Sequence, residues 1–161
     1  MQNKSVTLIE LVIVIIIAAI LGGAWAMISH NPNKLIGAAN KVAYDLRYAQ
    51  QLAISRQVNC GISYDVSGNN YFVYQGSTST KAEDPSTGNE FIVNFSTDQI
   101  YKGVSLASTN FGDRIYFDYL GRPYNNSNTL LTSNGTVVIS LGLSSKTITI
   151  TPNTGEVKGH E

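Results

Sequence analysis

The chain has 161 residues, enough for one ordinary domain with an appendage. Its 11 basic and 11 acidic residues cancel, but residues 57–161 hold six basic and nine acidic residues, a net charge of −3. This negative excess argues against a domain that binds polyanions such as nucleic acid.

The first predicted element is a long apolar helix. From Val6 to Ile28, which is 23 residues, the only strongly polar side chains are those of Thr7 and Glu10. A helix of that length measures about 34 Å and matches a hydrocarbon core of roughly 30 Å. We therefore predict that residues 6–28 span a membrane.

A cleaved secretory signal is the alternative for this segment. Lys4 supplies a positive start, and Ala24-Trp25-Ala26 has the form of a signal peptidase site. The apolar run exceeds the roughly 7 to 15 residues typical of such signals, which favours the membrane span. Charge counting leaves the orientation undecided. Because only five residues precede the span and a whole domain follows it, we expect a cytoplasmic amino terminus.

Glu10 is the unusual residue of this helix. An ionised carboxylate in hydrocarbon is unfavourable and calls for a partner. No basic residue lies within one helical turn on its carboxyl side. We therefore expect the compensating charge to come from the amino-terminal region or from another molecule.

The segment Ser5-Val6-Thr7-Leu8-Ile9-Glu10, followed by a Val/Ile run, resembles the signature of bacterial type IV pilins and type II secretion pseudopilins. That signature is usually Gly-Phe-Thr-Leu-Ile-Glu, so the chain departs from it at Ser5 and Val6. The resemblance implies that prepilin peptidase removes residues 1–5, that the amine of Val6 is methylated, and that Glu10 complements a neighbouring subunit's amine. Thr7, Leu8 and Ile9 complete the implied assembly signature. An uncleaved single-span anchor remains the alternative.

An amphipathic helix is predicted over residues 29–56. Its apolar positions recur at steps of four and three, which is one face of a helix: Leu35, Ala39, Val42, Leu46, Ala49 and Ala53. Pro32 either kinks one continuous helix or starts a new one with Asn31 as its cap. The sequence leaves both readings open.

From residue 57 onward the apolar period changes to two, which predicts strands with one buried face. The alternating sets are Val58, Cys60 and Ile62; Phe91, Val93 and Phe95; Ile115, Phe117 and Tyr119; Val137, Ile139 and Leu141; and Ile148 and Ile150. We expect Cys60, the only cysteine, to be a buried apolar residue. The predicted fold class is α+β: a long amino-terminal helix packed on a mainly antiparallel β-sheet domain, residues 57–161.

Residues 76–90, GSTSTKAEDPSTGNE, contain almost nothing to bury, so we expect an exposed, mobile connection. An ordinary solvated insertion and a loop that contacts a partner both fit this composition.

Three further segments extend the resemblance over nearly the whole chain: Asp45–Arg56, Arg114–Pro123 and Thr147–Val157. With the signature helix, they are similar to the GspH/FimT group of minor pseudopilins and minor pilins. The resemblance implies a non-enzymatic subunit of a type II secretion pseudopilus or type IV pilus. It also implies insertion in the bacterial inner membrane with a periplasmic domain, and prepilin peptidase and other subunits as partners.

The sequence shows no pattern typical of catalysis or of a cofactor site. His30 and His160 are poorly placed for a triad, and no phosphate loop, zinc spacing or EF-hand is present. Asp113 and Asp118 lie five apart, so a regular strand points them to opposite faces. We therefore predict no enzyme activity, cofactor or metal, although calcium binding by another loop stays open.

Two other functions compete with the filament subunit. One is a periplasmic binding domain tethered by a plain anchor. The other is a FimT-like minor pilin for DNA uptake, in which basic residues near the carboxyl end bind DNA. Here the corresponding tail offers Lys158 alone among acids, so DNA is not an expected partner.

Overall fold

The computed structural model describes the backbone of residues 8–28 and 32–159, and the side chains of residues 8–19 and 33–159. The chain divides into two compact units, Met1–Asn31 and Pro32–Glu161. In the first unit, helix α1 covers Leu8–Ile28. The question of a kink or a new helix depends on residues 29–31, which lie outside the described residues.

The second unit begins with helix α2, Pro32–Arg56, and continues with short strands. In the described residues these are β1 Cys60–Asp65, β2 Asn70–Gln75, β3 Ile92–Asn94, β4 Ser105–Thr109, β5 Arg114–Phe117, β6 Pro123–Asn125, β7 Gly135–Leu141, β8 Ser144–Ile150 and β9 Val157–Lys158.

The strands form two sheets, of order β3-β2-β1-β5-β6 and β4-β7-β8-β9. Every strand pairing in the described part of the chain is antiparallel. The predicted α+β class with an antiparallel sheet is therefore confirmed. The division into two sheets is a further feature that alternation along single strands does not reveal.

Helix α2 packs across both sheets with the stripe that its sequence predicts. All six stripe positions are buried, from Leu35 at the amino-terminal end to Ala53 at the carboxyl-terminal end. The helix contacts β1, β2 and β5 of one sheet and β7, β8 and β9 of the other. Because four of the buried positions on this face between residues 38 and 49 are alanines, the helix backbone lies close to the strands.

Most residues of the predicted strand faces are buried, and the two exceptions lie just outside the strands. Cys60 and Ile62 are fully buried, whereas Val58 precedes β1 and is exposed. Phe117 is fully buried, whereas Tyr119 is 56% exposed. The prediction for Tyr119 was wrong because β5 ends at Phe117 and a hydrogen-bonded turn follows it.

Residues 76–90 are exposed for most of their length, but they are folded rather than an unstructured connection. The amide of Ala82 donates to the carbonyl of Val73, and the amide of Phe91 donates to the carbonyl of Ala82. Ala82 is also buried. The segment therefore runs back beside β2. Backbone hydrogen bonds hold it there, although most of its side chains are exposed.

Strands β1 and β5 approach each other closely at Gly61. A Cβ at this position would lie 2.2 Å from the carbonyl oxygen of Ile115 and 2.6 Å from the Cα of Tyr116. Only glycine fits here without moving backbone.

Candidate assembly surface

The described part of α1 exposes apolar side chains in every direction. Nine such side chains between Leu8 and Ile17 are exposed, from 43% at Val12 to 82% at Leu8. Ten consecutive residues make almost three helical turns, so the apolar surface surrounds the helix. A helix of this kind needs apolar surroundings, either lipid or other helices.

Glu10 is the acidic residue in the first turn of α1. Its side chain is exposed, as are those of Leu8 and Ile9 beside it. A carboxylate at this position is favoured by the positive amino-terminal end of the helix macrodipole. The other predicted signature residues, Ser5, Val6 and Thr7, lie outside the described residues.

No helix in the described part of the chain is both long enough and apolar enough to cross a membrane. The predicted span of residues 6–28 includes positions outside that description, so it stays a prediction.

The second unit contains a buried carboxylate, Asp45, on the sheet-facing side of α2. Its two oxygens each lie 2.7 Å from Nζ of Lys41, one helical turn earlier. The hydroxyl of Tyr71 on β2 donates a 2.6 Å hydrogen bond to the same carboxylate. Burial raises the pKa of Asp45, and the Lys41 and Tyr71 contacts oppose that rise without cancelling it.

A second buried carboxylate, Asp118, organises the turn after β5. Its oxygens accept hydrogen bonds from the backbone amides of Leu120 and Arg122 and from Nε of Arg122. Burial by itself would raise the pKa of Asp118, but the hydrogen bonds from Arg122 and Leu120 outweigh it and lower that pKa. This residue therefore acts as an acceptor that shapes a turn.

The two carboxylates considered as a candidate pair lie in different surroundings. Asp118 is buried in its turn, whereas Asp113 is exposed. His30 and His160 lie outside the described residues. Among the residues that the structure describes, no group of three or more His, Cys, Asp or Glu side chains could hold a metal ion.

The apolar periodicity of α2 does not indicate that Asp45 is buried. A signal was available, because Asp45 directly precedes the buried Leu46 and has Lys41 four residues before it. Periodicity also gives no sign of the role of Gln50 of α2, whose Nε2 donates to the carbonyls of Gly121 and Thr154 in two separate loops.

A comparison with protein families identifies the family of this chain. The family described as type II transport protein GspH matches residues 38–155, which is most of the chain. The chain belongs to the GspH family. The predicted resemblance to the GspH/FimT group is thereby confirmed. This GspH-family chain is a structural subunit of the minor pseudopilin or minor pilin type, associates with other such subunits, and forms part of a membrane-associated, periplasmic filament.

Solved structures share the fold of this GspH-family chain. One is the type IV minor pilin FimU of Pseudomonas aeruginosa, with 14% identity, a TM-score of 0.55, and coverage of 81% of this chain and 90% of that one. Another is the minor pseudopilin EpsH of Vibrio cholerae, with 13% identity, a TM-score of 0.56, and coverage of 78% and 95%. No curated protein matches the sequence significantly.

Proposed function

We propose that this GspH-family chain is a non-enzymatic minor subunit that enters its filament through α1 after processing. Prepilin peptidase cleaves between Ser5 and Val6, and the amine of Val6 is methylated. Before assembly the chain crosses the inner membrane once, with its amino terminus in the cytoplasm and residues 57–161 in the periplasm. In the filament, α1 exchanges lipid for the helices of neighbouring subunits.

The observation that carries this proposal is the apolar surface around α1, interrupted only by Glu10 between Leu8 and Ile17. Lipid and a bundle of like helices both satisfy such a surface, so transfer from one to the other leaves little apolar area in water. The carboxylate of Glu10 then specifies the register, because in low-dielectric surroundings it favours the position that brings a neighbour's amino terminus closest.

The test begins with mass spectrometry of the protein isolated from membranes. A mature terminus at Val6 carrying one extra methyl group supports the proposal. An intact leader, residues 1–5, would instead support the tethered binding domain. This measurement does not depend on which secretion, pilus or DNA-uptake machine contains the subunit.

The role of Glu10 requires a second experiment. We expect Glu10→Gln, which is neutral but similar in shape, to be inserted and cleaved normally but largely absent from sheared filaments. Glu10→Asp is the matched control, because it keeps the charge and should retain part of the incorporation. Wild-type levels of the Gln variant in filaments would contradict the pairing of Glu10 with a neighbouring amine.

A further inference from the structure

A polar pocket of about 200 Å³ opens beside strands β1, β2 and β5 of the five-stranded sheet. It lies in the second unit, on residues that belong to neither the α1 surface nor the α2 stripe. The side chains that matter to its chemistry are Tyr74, Ser77, Thr78, Arg114, Tyr116 and Asn128.

Arg114, the first residue of β5, is held at the pocket by one end of its guanidinium group. Its Nη2 donates to the carbonyl of Asn126 at 3.0 Å and to Oδ1 of Asn128 at 3.2 Å. Asn128 has a left-handed backbone, with φ of 59°. These two acceptors are neutral, so they orient the guanidinium without neutralising its charge.

In the described part of the chain, a second nitrogen of this guanidinium is without an acceptor. Nε of Arg114 is buried and has no hydrogen-bond partner. Within residues 8–28 and 32–159, no carboxylate lies within ion-pair distance of Arg114. A buried donor left unsatisfied is costly, typically by about 1–3 kcal/mol. The pocket therefore presents a positive charge that no carboxylate among the described residues neutralises.

The other lining groups indicate what would complement this charge. Among the described residues that line the pocket, Arg114 is the only charged one, and its neighbours contribute hydroxyl and amide groups. Burial raises the pKa of Tyr74 to about 12, so its hydroxyl is protonated and able to donate at neutral pH. One cation with neutral donors matches a monoanion, whereas a phosphate dianion usually requires several positive groups.

We propose that this pocket binds a carboxylate group, with Arg114 as its counter-ion and Ser77 and Thr78 as neutral donors at the rim. The carboxylate belongs either to an acidic side chain of an adjacent subunit or to a small free carboxylate. Guanidinium suits a carboxylate because it stays charged at neutral pH and forms strong, charge-assisted hydrogen bonds with carboxylate oxygens. This binding is independent of cleavage and of Glu10, so its failure would leave the proposed function untouched.

The test is a titration of the full chain in detergent micelles. Binding is monitored through the NMR signal of the Arg114 guanidinium. The probes are the peptide acetyl-Ser-Glu-Ser-amide, its Gln counterpart, and sodium acetate. We expect a saturable shift with the Glu peptide and none with the Gln peptide. If the Glu peptide saturates the site at a concentration at least tenfold lower than the concentration that acetate requires, the site binds a subunit side chain. Equal concentrations assign it to a free carboxylate.

Variants show whether Arg114 is responsible. With the signal of the Thr78 amide as the readout, Arg114→Gln should abolish the response, and Arg114→Lys should weaken binding at least tenfold. Lys102→Gln removes the same charge from an exposed position outside the pocket and should bind like the wild type. No saturable shift in the wild type, or equal shifts with both peptides, would overturn the proposal whether or not the variants fold.

Discussion

The hydroxyl of Tyr71 donates a 2.6 Å hydrogen bond to Oδ2 of Asp45, and both residues are buried where α2 packs on the five-stranded sheet. Because Lys41 is the other partner of this carboxylate, the two contacts together allow a charge on the buried side of the helix. We expect Tyr71→Phe to lower the free energy of unfolding at neutral pH by about 1–3 kcal/mol, since it leaves the carboxylate one donor short. Tyr44→Phe, at an exposed position on the same helix, is the control for chemical denaturation of the two variants.

Asp45 also predicts a pH dependence. Its folded-state pKa is raised, so on acidification the native protein binds this proton before the unfolded chain does. Wild-type stability should therefore rise relative to Asp45→Asn as the pH falls from the raised pKa toward the ordinary value of 3.8. Thermal unfolding of both proteins across that range measures the difference. A constant difference would show that Asp45 titrates alike in both states.

Asp118 should respond to acid in the opposite direction. Its pKa is lowered in the folded state, so the stability it contributes is present above 3.8 and is lost as the pH falls through the lowered value. At neutral pH we expect Asp118→Ala to cost about 1–3 kcal/mol, because it removes the acceptor for the amides of Leu120 and Arg122. The exposed Asp113→Ala should change stability by less than about 0.5 kcal/mol. Similar losses in the two variants, measured by urea unfolding, would contradict this role.

Gly61→Ala should destabilise the five-stranded sheet. The new methyl group would meet the backbone of β5 at 2.2 Å, so the strands must separate, at a cost of at least about 2 kcal/mol. Gly159→Ala is the matched control, since nothing lies within 4 Å of a Cβ there. Melting temperatures of the two variants give the comparison, and equal values would argue against the close approach of β1 and β5.

The segment of residues 76–90 should contain amides of two kinds. The amides of Ala82 and Phe91 donate to backbone carbonyls and should exchange slowly with deuterium. The amide of Ser79 lies in the exposed part of the segment and should exchange fast. Hydrogen exchange followed by NMR separates these classes. Fast exchange at all three amides would restore the mobile connection that the composition predicts.

The periodic features of this protein follow from its amino-acid sequence alone. The spacing from Leu35 to Ala53 fixes which side of α2 is buried, and alternation in strands such as Val137–Leu141 fixes which side of a strand is buried. Both follow from the geometry of one element, 3.6 residues per turn or two per repeat. The signature at Thr7–Glu10 and the diffuse later segments were enough to indicate the GspH-type group, which the family match confirms.

Contacts between residues far apart in sequence depend on the packing of the whole domain. Asp45 and Tyr71 are 26 positions apart, and neither residue alone indicates that a carboxylate is tolerated in the core. The Arg114 pocket likewise combines β5 with segments near residues 59, 77 and 128. Burial, pKa and unsatisfied donors depend on every group within a few ångströms, and local periodicity carries no information about neighbours that arrive from another element.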